Sequence, residues 1–229
     1  MDLESLSSAL RLAHRQGLLP SPPPPIRRLP RDTIRQGWFT RPEIDAVIAN
    51  LSPVLGDLAR FGYLTGWRYG EIISLKWTDV DLDAKEIRLR AEESKNGQPR
   101  TIILTGELLE LMQRRLADRL LPTLLDRIRM APTVFHRKGT RIIEINAAWK
   151  TACAKAEVPG KLFHDLRRTA VRNMIRAGIP QQLAMRISGH RSDSMFERYN
   201  IVATEDLRVV AEKVQLYVDG LPTETEEAR

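Results

Sequence analysis

Apolar residues recur at spacings of three and four through most of this 229-residue chain, so the pattern is dominantly helical. Leu3, Leu6, Leu10 and Ala13 mark a short amphipathic helix over residues 3–16, which Gly17 ends. The stretch LLPSPPPPIRRLPRD follows. Four consecutive prolines cannot continue a helix and favour extended geometry, so this stretch reads as a linker. A helix as short as the first is not stable alone and needs a surface to lie on. A longer pattern begins near Trp38. Thr40 and Glu43 stand at capping-box spacing ahead of Ile44, Val47, Ile48 and Leu51, and a further helix is predicted from about Pro53 to Leu64. Gly66 then permits a tight backbone path into a helix carrying Arg68 and Glu71, which share one face.

Near residue 86 the period changes to two. EIRLR (86–90) and TIIL (101–104) are predicted strands around a turn containing Asn96-Gly97, with Lys95 immediately before it. Residues 107–121 are predicted as a helix with Leu109, Met112, Leu116 and Leu120 inward. Val134 and Phe135 form a predicted short strand, and another helix runs from about Ile145 to Ala156. Beyond it, Leu166, Ala170, Met174 and Ile175 define a buried helical face, while Arg168, Arg172 and Arg176 recur every four residues on another. That stripe is either a solvated face or one that follows phosphates. Gly178-Ile179-Pro180 stops this helix, Pro180 starts the next and Gly189 caps it. Ser192 can N-cap one further turn before Tyr199. A last helix, 204–217, puts Leu207, Val210, Ala211, Val214 and Tyr217 on one side, to pack on its own domain or on a neighbouring subunit. The fold class is α+β, mostly helical, with a small antiparallel hairpin or sheet.

Charge narrows the partners. The net charge is +7, and the last seven residues, TETEEAR, contribute −2, leaving +9 for the rest. A basic body favours a polyanion. The lone Cys153 excludes an intrachain disulfide and a cysteine-clustered zinc site. No run approaches the roughly 18 apolar residues of a membrane span, and the N-terminus lacks a basic-then-apolar secretory pattern. The expected location is the cytoplasm, with no membrane partner.

The chemistry concentrates between Phe163 and Val202. His164-x-x-Arg167, Gly189-His190 and Tyr199, nine residues after His190, bring three side-chain types into one stretch. Arginine grips phosphate with a planar fork, imidazole relays protons near neutrality, and a phenol can attack phosphorus. Together they point to phosphoryl transfer without a metal. Taken singly, Arg68 and Glu71 make an ordinary surface ion pair and Lys95 an ordinary solvated lysine.

The order of these residues resembles the tyrosine recombinases, the phage-integrase family, over roughly Trp38 to Tyr217. The matching positions are Arg68 in TGWRYGE, Lys95 at the hairpin turn, His164 and Arg167 in HDLR, His190 in GH and Tyr199 in ERY. The resemblance implies a catalytic DNA breaking-rejoining domain at 38–221. Residues 1–37 would be the last helix and linker of a mostly absent core-binding domain, and 222–229 an acidic disordered tail. It further implies that Arg68 and Arg167 hold the scissile phosphate, Tyr199 attacks to form a 3′-phosphotyrosyl bond, and Lys95 protonates the leaving 5′-hydroxyl. His164 would orient or deprotonate, His190 would hydrogen-bond the phosphate, and Glu71 would position Arg68. Arg168, Arg172 and Arg176 are DNA-binding candidates. No metal or other cofactor is expected. The expected partner is double-stranded DNA, bound by a monomer in solution that assembles into a homo-tetramer on DNA. The same features admit a non-enzymatic DNA-binding regulator of recombination sites, or a type IB topoisomerase that relaxes supercoils.

Overall fold

The computed structural model describes residues 3–26, 37–93, 97, 99–122, 128–190 and 204–220. It divides into two compact units, Met1–Arg35 and Gln36–Arg229. In the first, helix α1 (Leu3–Arg15) carries its apolar stripe and ends where Gly17 turns to φ +75°. The extended prolines Pro22–Pro25 run beside Leu10, Arg11 and His14, bounding a groove of about 540 Å³.

The second unit opens with α2 (Arg41–Ala49) and α3 (Pro53–Thr65). The predicted capping box closes α2: Thr40 N–H donates to Glu43 Oε2 at 2.7 Å, and Glu43 N–H donates to Thr40 Oγ1 at 3.3 Å. Each end satisfies a backbone donor that the helix cannot. Gly66, at φ +68°, ends α3 in the left-handed region. A short α4 (Tyr69–Ser74) follows. Strands β1 (Val80–Asp81), β2 (Glu86–Leu89) and β3 (Arg100–Ile103) form one antiparallel sheet in that order. Alternation buries Ile87, Leu89 and Ile102 and, on the same inner face, Arg100, which pairs with Leu89.

Helix α5 (Gly106–Ala117) ends four residues before the predicted boundary at 121. Its buried residues are Leu108, Leu111, Met112 and Arg115, whereas Leu116 is exposed. Leu120 is not helical: it lies exposed in strand β4 (Leu120–Pro122), which pairs with β5 (Ile128–Met130). Arg115 takes an inward helical position because Asp57 neutralises it, with Arg115 Nε 2.8 Å from Asp57 Oδ2. Val134 and Phe135 are buried but lie before the strand; β6 (His136–Arg137) pairs with β7 (Thr140–Arg141). Helices α6 (Asn146–Lys155), α7 (Asp165–Arg176), α8 (Gln181–Ser188) and α9 (Thr204–Asp219) complete the element order.

The core joins α2, α3, the sheet and α5–α7 around edge-on aromatic pairs. Phe61 meets Trp67 and Phe135 at 5.5 and 5.6 Å between centroids, and Trp149 meets Phe163 at 5.2 Å. Helix α3 lies tight against α7: a Cβ on Gly62 would sit 3.3 Å from Leu166 Cδ1, and one on Gly66 would sit 3.0 Å from Ala170 Cβ. Every described side chain from Val210 onward in α9 is exposed, including Val210, Ala211, Val214 and Tyr217, so the helix buries none of these on its own domain. The Leu207 side chain lies outside the described residues. Among the described residues no helix is long and apolar enough to cross a membrane.

Candidate active site

Three chain breaks, each fixed by local chemistry, meet at one place. The first is the α3–α4 junction. Arg68 sits just before α4 in extended conformation rather than inside the helix, and Glu71 Oε2 accepts its backbone N–H at 3.0 Å. Arg68 Nη1 lies 3.1 Å from Glu71 Oε1, so one buried carboxylate fixes both the backbone and the head group. This pair is not a surface pair: Glu71 is 3% exposed. Burial pushes the Glu71 carboxyl up, but the hydrogen bond and charge of Arg100 and the charge of Arg68 outweigh it and hold the group below its ordinary value.

The second break is the start of α7. His164 occupies the N-cap position, exposed, and Arg167 lies one turn inside, 2% exposed. Arg167 Nη1 donates to Gly66 O at 2.7 Å and also to Ser188 O. Surrounding protein and the charges of Arg167 and Arg168 lower the His164 pKa. Two residues nearby anchor the helix start: Leu162 N–H donates to Asp165 Oδ2 at 2.8 Å, and Phe39 N–H donates to Thr169 Oγ1 at 2.9 Å.

The third break is the end of α8. Gly189, at φ +72°, turns the chain in the left-handed conformation that a helix C-cap uses. That turn directs His190 inward, where its ring nitrogens lie 3.1–3.3 Å from Arg167 Nε and Nη2. Ser188 Oγ donates to Ala184 O at 2.7 Å and sits 2.8 Å from His190 Nδ1. Arg68 Nη2 closes the ring by donating to Gly189 O at 3.3 Å. Burial and then the charges of Arg167 and Arg68 drive the His190 pKa down to about 3, so the imidazole is neutral near pH 7.

Arg68, Glu71, Arg167 and His190 are thus brought together, with His164 at the mouth. Lys95, Asn96, Ser192 and Tyr199 lie outside the described residues. The arginine stripe of α7 does not form one solvated face. Arg168 and Arg172 are buried, and the Arg172 guanidinium lies 3.8 Å over the Trp38 ring; Arg176 alone of the three is exposed. Over Arg172 the cover is Trp38, in the segment leading into α2. Two residues of the cluster went unmarked by the sequence, Ser188 and Arg100. The one signal for Arg100 is that extending the predicted strand by a residue puts this charge on the same face as Ile102. Among the described residues no group of three His, Cys, Asp or Glu side chains is placed to hold a metal ion. The arrangement is a compact cationic cluster on rigid helix ends, suited to an oxyanion.

The sequence profile of the Phage integrase family matches residues 41–206. The integrase of Salmonella phage P22 is 24% identical over 226 residues, 93% of this chain and 56% of that protein. The shufflon-specific DNA recombinase of Escherichia coli is 29% identical over 136 residues, 59% of this chain and 31% of that protein. The chain therefore spans about half, or less, of these relatives' lengths. Among solved structures, XerA recombinase aligns with a TM-score of 0.63 at 22% identity, over 95% of this chain and 75% of that one. The Tn1549 transposon integrase in complex with circular intermediate DNA aligns with a TM-score of 0.65 at 19% identity, over 91% and 76%. At these identities the structural likeness establishes the fold.

Proposed function

Because the chain belongs to the phage integrase family, we propose that it cuts and rejoins double-stranded DNA site-specifically through a 3′-phosphotyrosyl intermediate. The observation that supports this most directly is the meeting of Arg68, Arg167 and His190. Their contacts cross 121 residues between Arg68 and Gly189 and 101 between Arg167 and Gly66. Two arginines on fixed helix ends supply preorganised positive charge where the phosphate's non-bridging oxygens gain charge in the transition state. His190, neutral, adds hydrogen bonding without adding charge.

In this reading Tyr199 Oη attacks phosphorus in line. A P–O bond to the phenol forms as the bond to the 5′-oxygen breaks. Lys95 gives its proton to that leaving oxygen, and His164 orients or accepts the phenolic proton. The phosphotyrosine conserves the energy of the diester, so religation by a 5′-hydroxyl needs neither ATP nor metal. Residues 1–37 act as the end of a DNA-embracing domain and its linker, 38–221 as the catalytic domain and 222–229 as a tail. The chain is a monomer that assembles into a tetramer on DNA.

The test uses nicked suicide duplexes that cover the DNA on either side of the gene. The intact chain forms a denaturant-resistant adduct, and Tyr199→Phe forms none while binding DNA comparably. An adduct with the phenylalanine variant removes Tyr199 as nucleophile.

A further inference from the structure

Arg100 opens β3 five residues after Lys95, and strand alternation turns its side chain inward beside Ile102. An arginine cannot shed its charge, so burying it requires compensation. Three neighbours provide it. Arg100 Nη2 lies 2.7 Å from Glu71 Oε2, Nη1 donates to Ser188 O at 2.8 Å, and the guanidinium lies over the Trp67 ring, 5.2 Å from its centroid. Two of these partners also hold the phosphate-facing arginines. Glu71 holds Arg68, and the Ser188 carbonyl also accepts from Arg167. The Gly189 turn is shaped around the same head group: a Cβ there would sit 2.2 Å from Arg100 Nη1.

We propose that Arg100 is a positioning residue for strand transfer, tying Glu71 and the Ser188–Gly189 turn into one frame and keeping Arg68 electrically available to the phosphate. The inference rests on the strand-transfer reading above. Its core is a charge count. Arg68, Glu71 and Arg100 together carry one net positive charge; without Arg100, the Glu71 carboxylate cancels Arg68. Arg100 shares Glu71 Oε2 with the Arg68 backbone N–H and leaves Oε1 to the Arg68 head group. The same contacts hold the start of β3 against the end of α8.

The test compares cleavage of a normal suicide duplex with one bearing a methylphosphonate at the scissile position, where a methyl group replaces one charged oxygen. Removing Arg100's charge should hurt only the charged substrate. Arg100→Met is expected to slow diester cleavage about 10²-fold, the scale of a misplaced catalytic group, and to leave methylphosphonate cleavage within about tenfold of wild type. Equal slowing of both substrates, or no slowing of the diester, overturns the inference. Arg100→Lys keeps the charge and tolerates folding better. Its diester-to-methylphosphonate ratio stays at the wild-type value, and a shifted ratio overturns the charge argument even if the methionine variant does not fold. A wild-type chain that forms no adduct on either duplex sinks the strand-transfer reading, and this inference with it. That outcome is told apart because it precedes any comparison of variants.

Discussion

The carbonyl of Gly66 accepts a hydrogen bond from Arg167 Nη1 at 2.7 Å, across 101 residues of chain. The contact exists because Gly66 ends α3 with φ +68° and because nothing but hydrogen stands between its Cα and Ala170. An alanine there meets both penalties, a left-handed backbone and a Cβ 3.0 Å from Ala170 Cβ. Gly66→Ala is expected to destabilise the fold by about 1–2 kcal/mol or more, from the backbone cost alone. Gly70 in α4 is the control, since a Cβ there meets nothing within 4 Å. Gly70→Ala should be neutral or stabilise by about 0.4–1 kcal/mol. Denaturant unfolding of both variants checks the pair, and equal midpoints would refute the steric account.

Arg167 serves Gly66 O, Ser188 O and the His190 ring with one planar group. A lysine carries the charge but not the fork. Arg167→Lys is therefore expected to lose adduct formation by on the order of 10²- to 10³-fold, close to the loss in Arg167→Ala. Single-turnover cleavage measures it. Recovery of most of the rate by lysine would reduce Arg167 to a point charge.

The histidines set an acid limit. His190 drops from the ordinary imidazole value of 6.5 to about 3, and His164 and His136 are also lowered, the first cause in each case being surrounding protein that displaces water, even around His164, whose surface is partly open. Between these values the unfolded chain binds more protons than the folded one, so stability rises with pH there. It is fully present above about pH 6.5 and is lost as pH falls towards the folded values. The lowered Glu71 carboxyl adds a further loss below its ordinary 4.5. The unfolding midpoint should be steady above pH 7 and decline from 6.5 to 4, with His190→Asn removing about one proton from the slope. A midpoint flat between pH 7 and 5 would contradict this.

Helix α9 leaves Val210, Val214, Leu216, Tyr217 and Val218 exposed in the single chain. Ending the chain after Ala203 is therefore expected to leave the unfolding midpoint within a few degrees of the full chain, because the described side chains of α9 are exposed. Cooperative assembly on paired DNA sites should disappear, since the apolar face then has no copy to offer its neighbours. Calorimetry and gel-shift titration read the two effects. A large fall in midpoint would show α9 to be a core element of its own domain.

Local order was written in the sequence. The capping pair Thr40 and Glu43, the proline that opens α8 and the glycine that closes it each act within one turn, where neighbouring atoms decide the conformation. Arg68, His164, Arg167 and His190 stood out by the order they share with the family the chain resembles; taken singly, Arg68 with Glu71 reads as an ordinary ion pair. The strands β2 and β3 followed from period-two alternation to within a residue at the ends, but the end of α5 did not. Leu120 continues the helical spacing on paper, yet pairing with Met130 takes it into a strand. Whether a charge is inside or outside was decided only by tertiary structure. Arg168, Arg172 and Arg176 share one spacing, but only the first two are covered. Arg100 falls just before the predicted strand at 101–104, and it is Glu71 and Ser188 that enclose it in the fold. Burying a guanidinium is favourable only where a carboxylate and a carbonyl already wait in the right place. Those partners lie 29 and 88 residues away along the chain, so no local pattern could announce them.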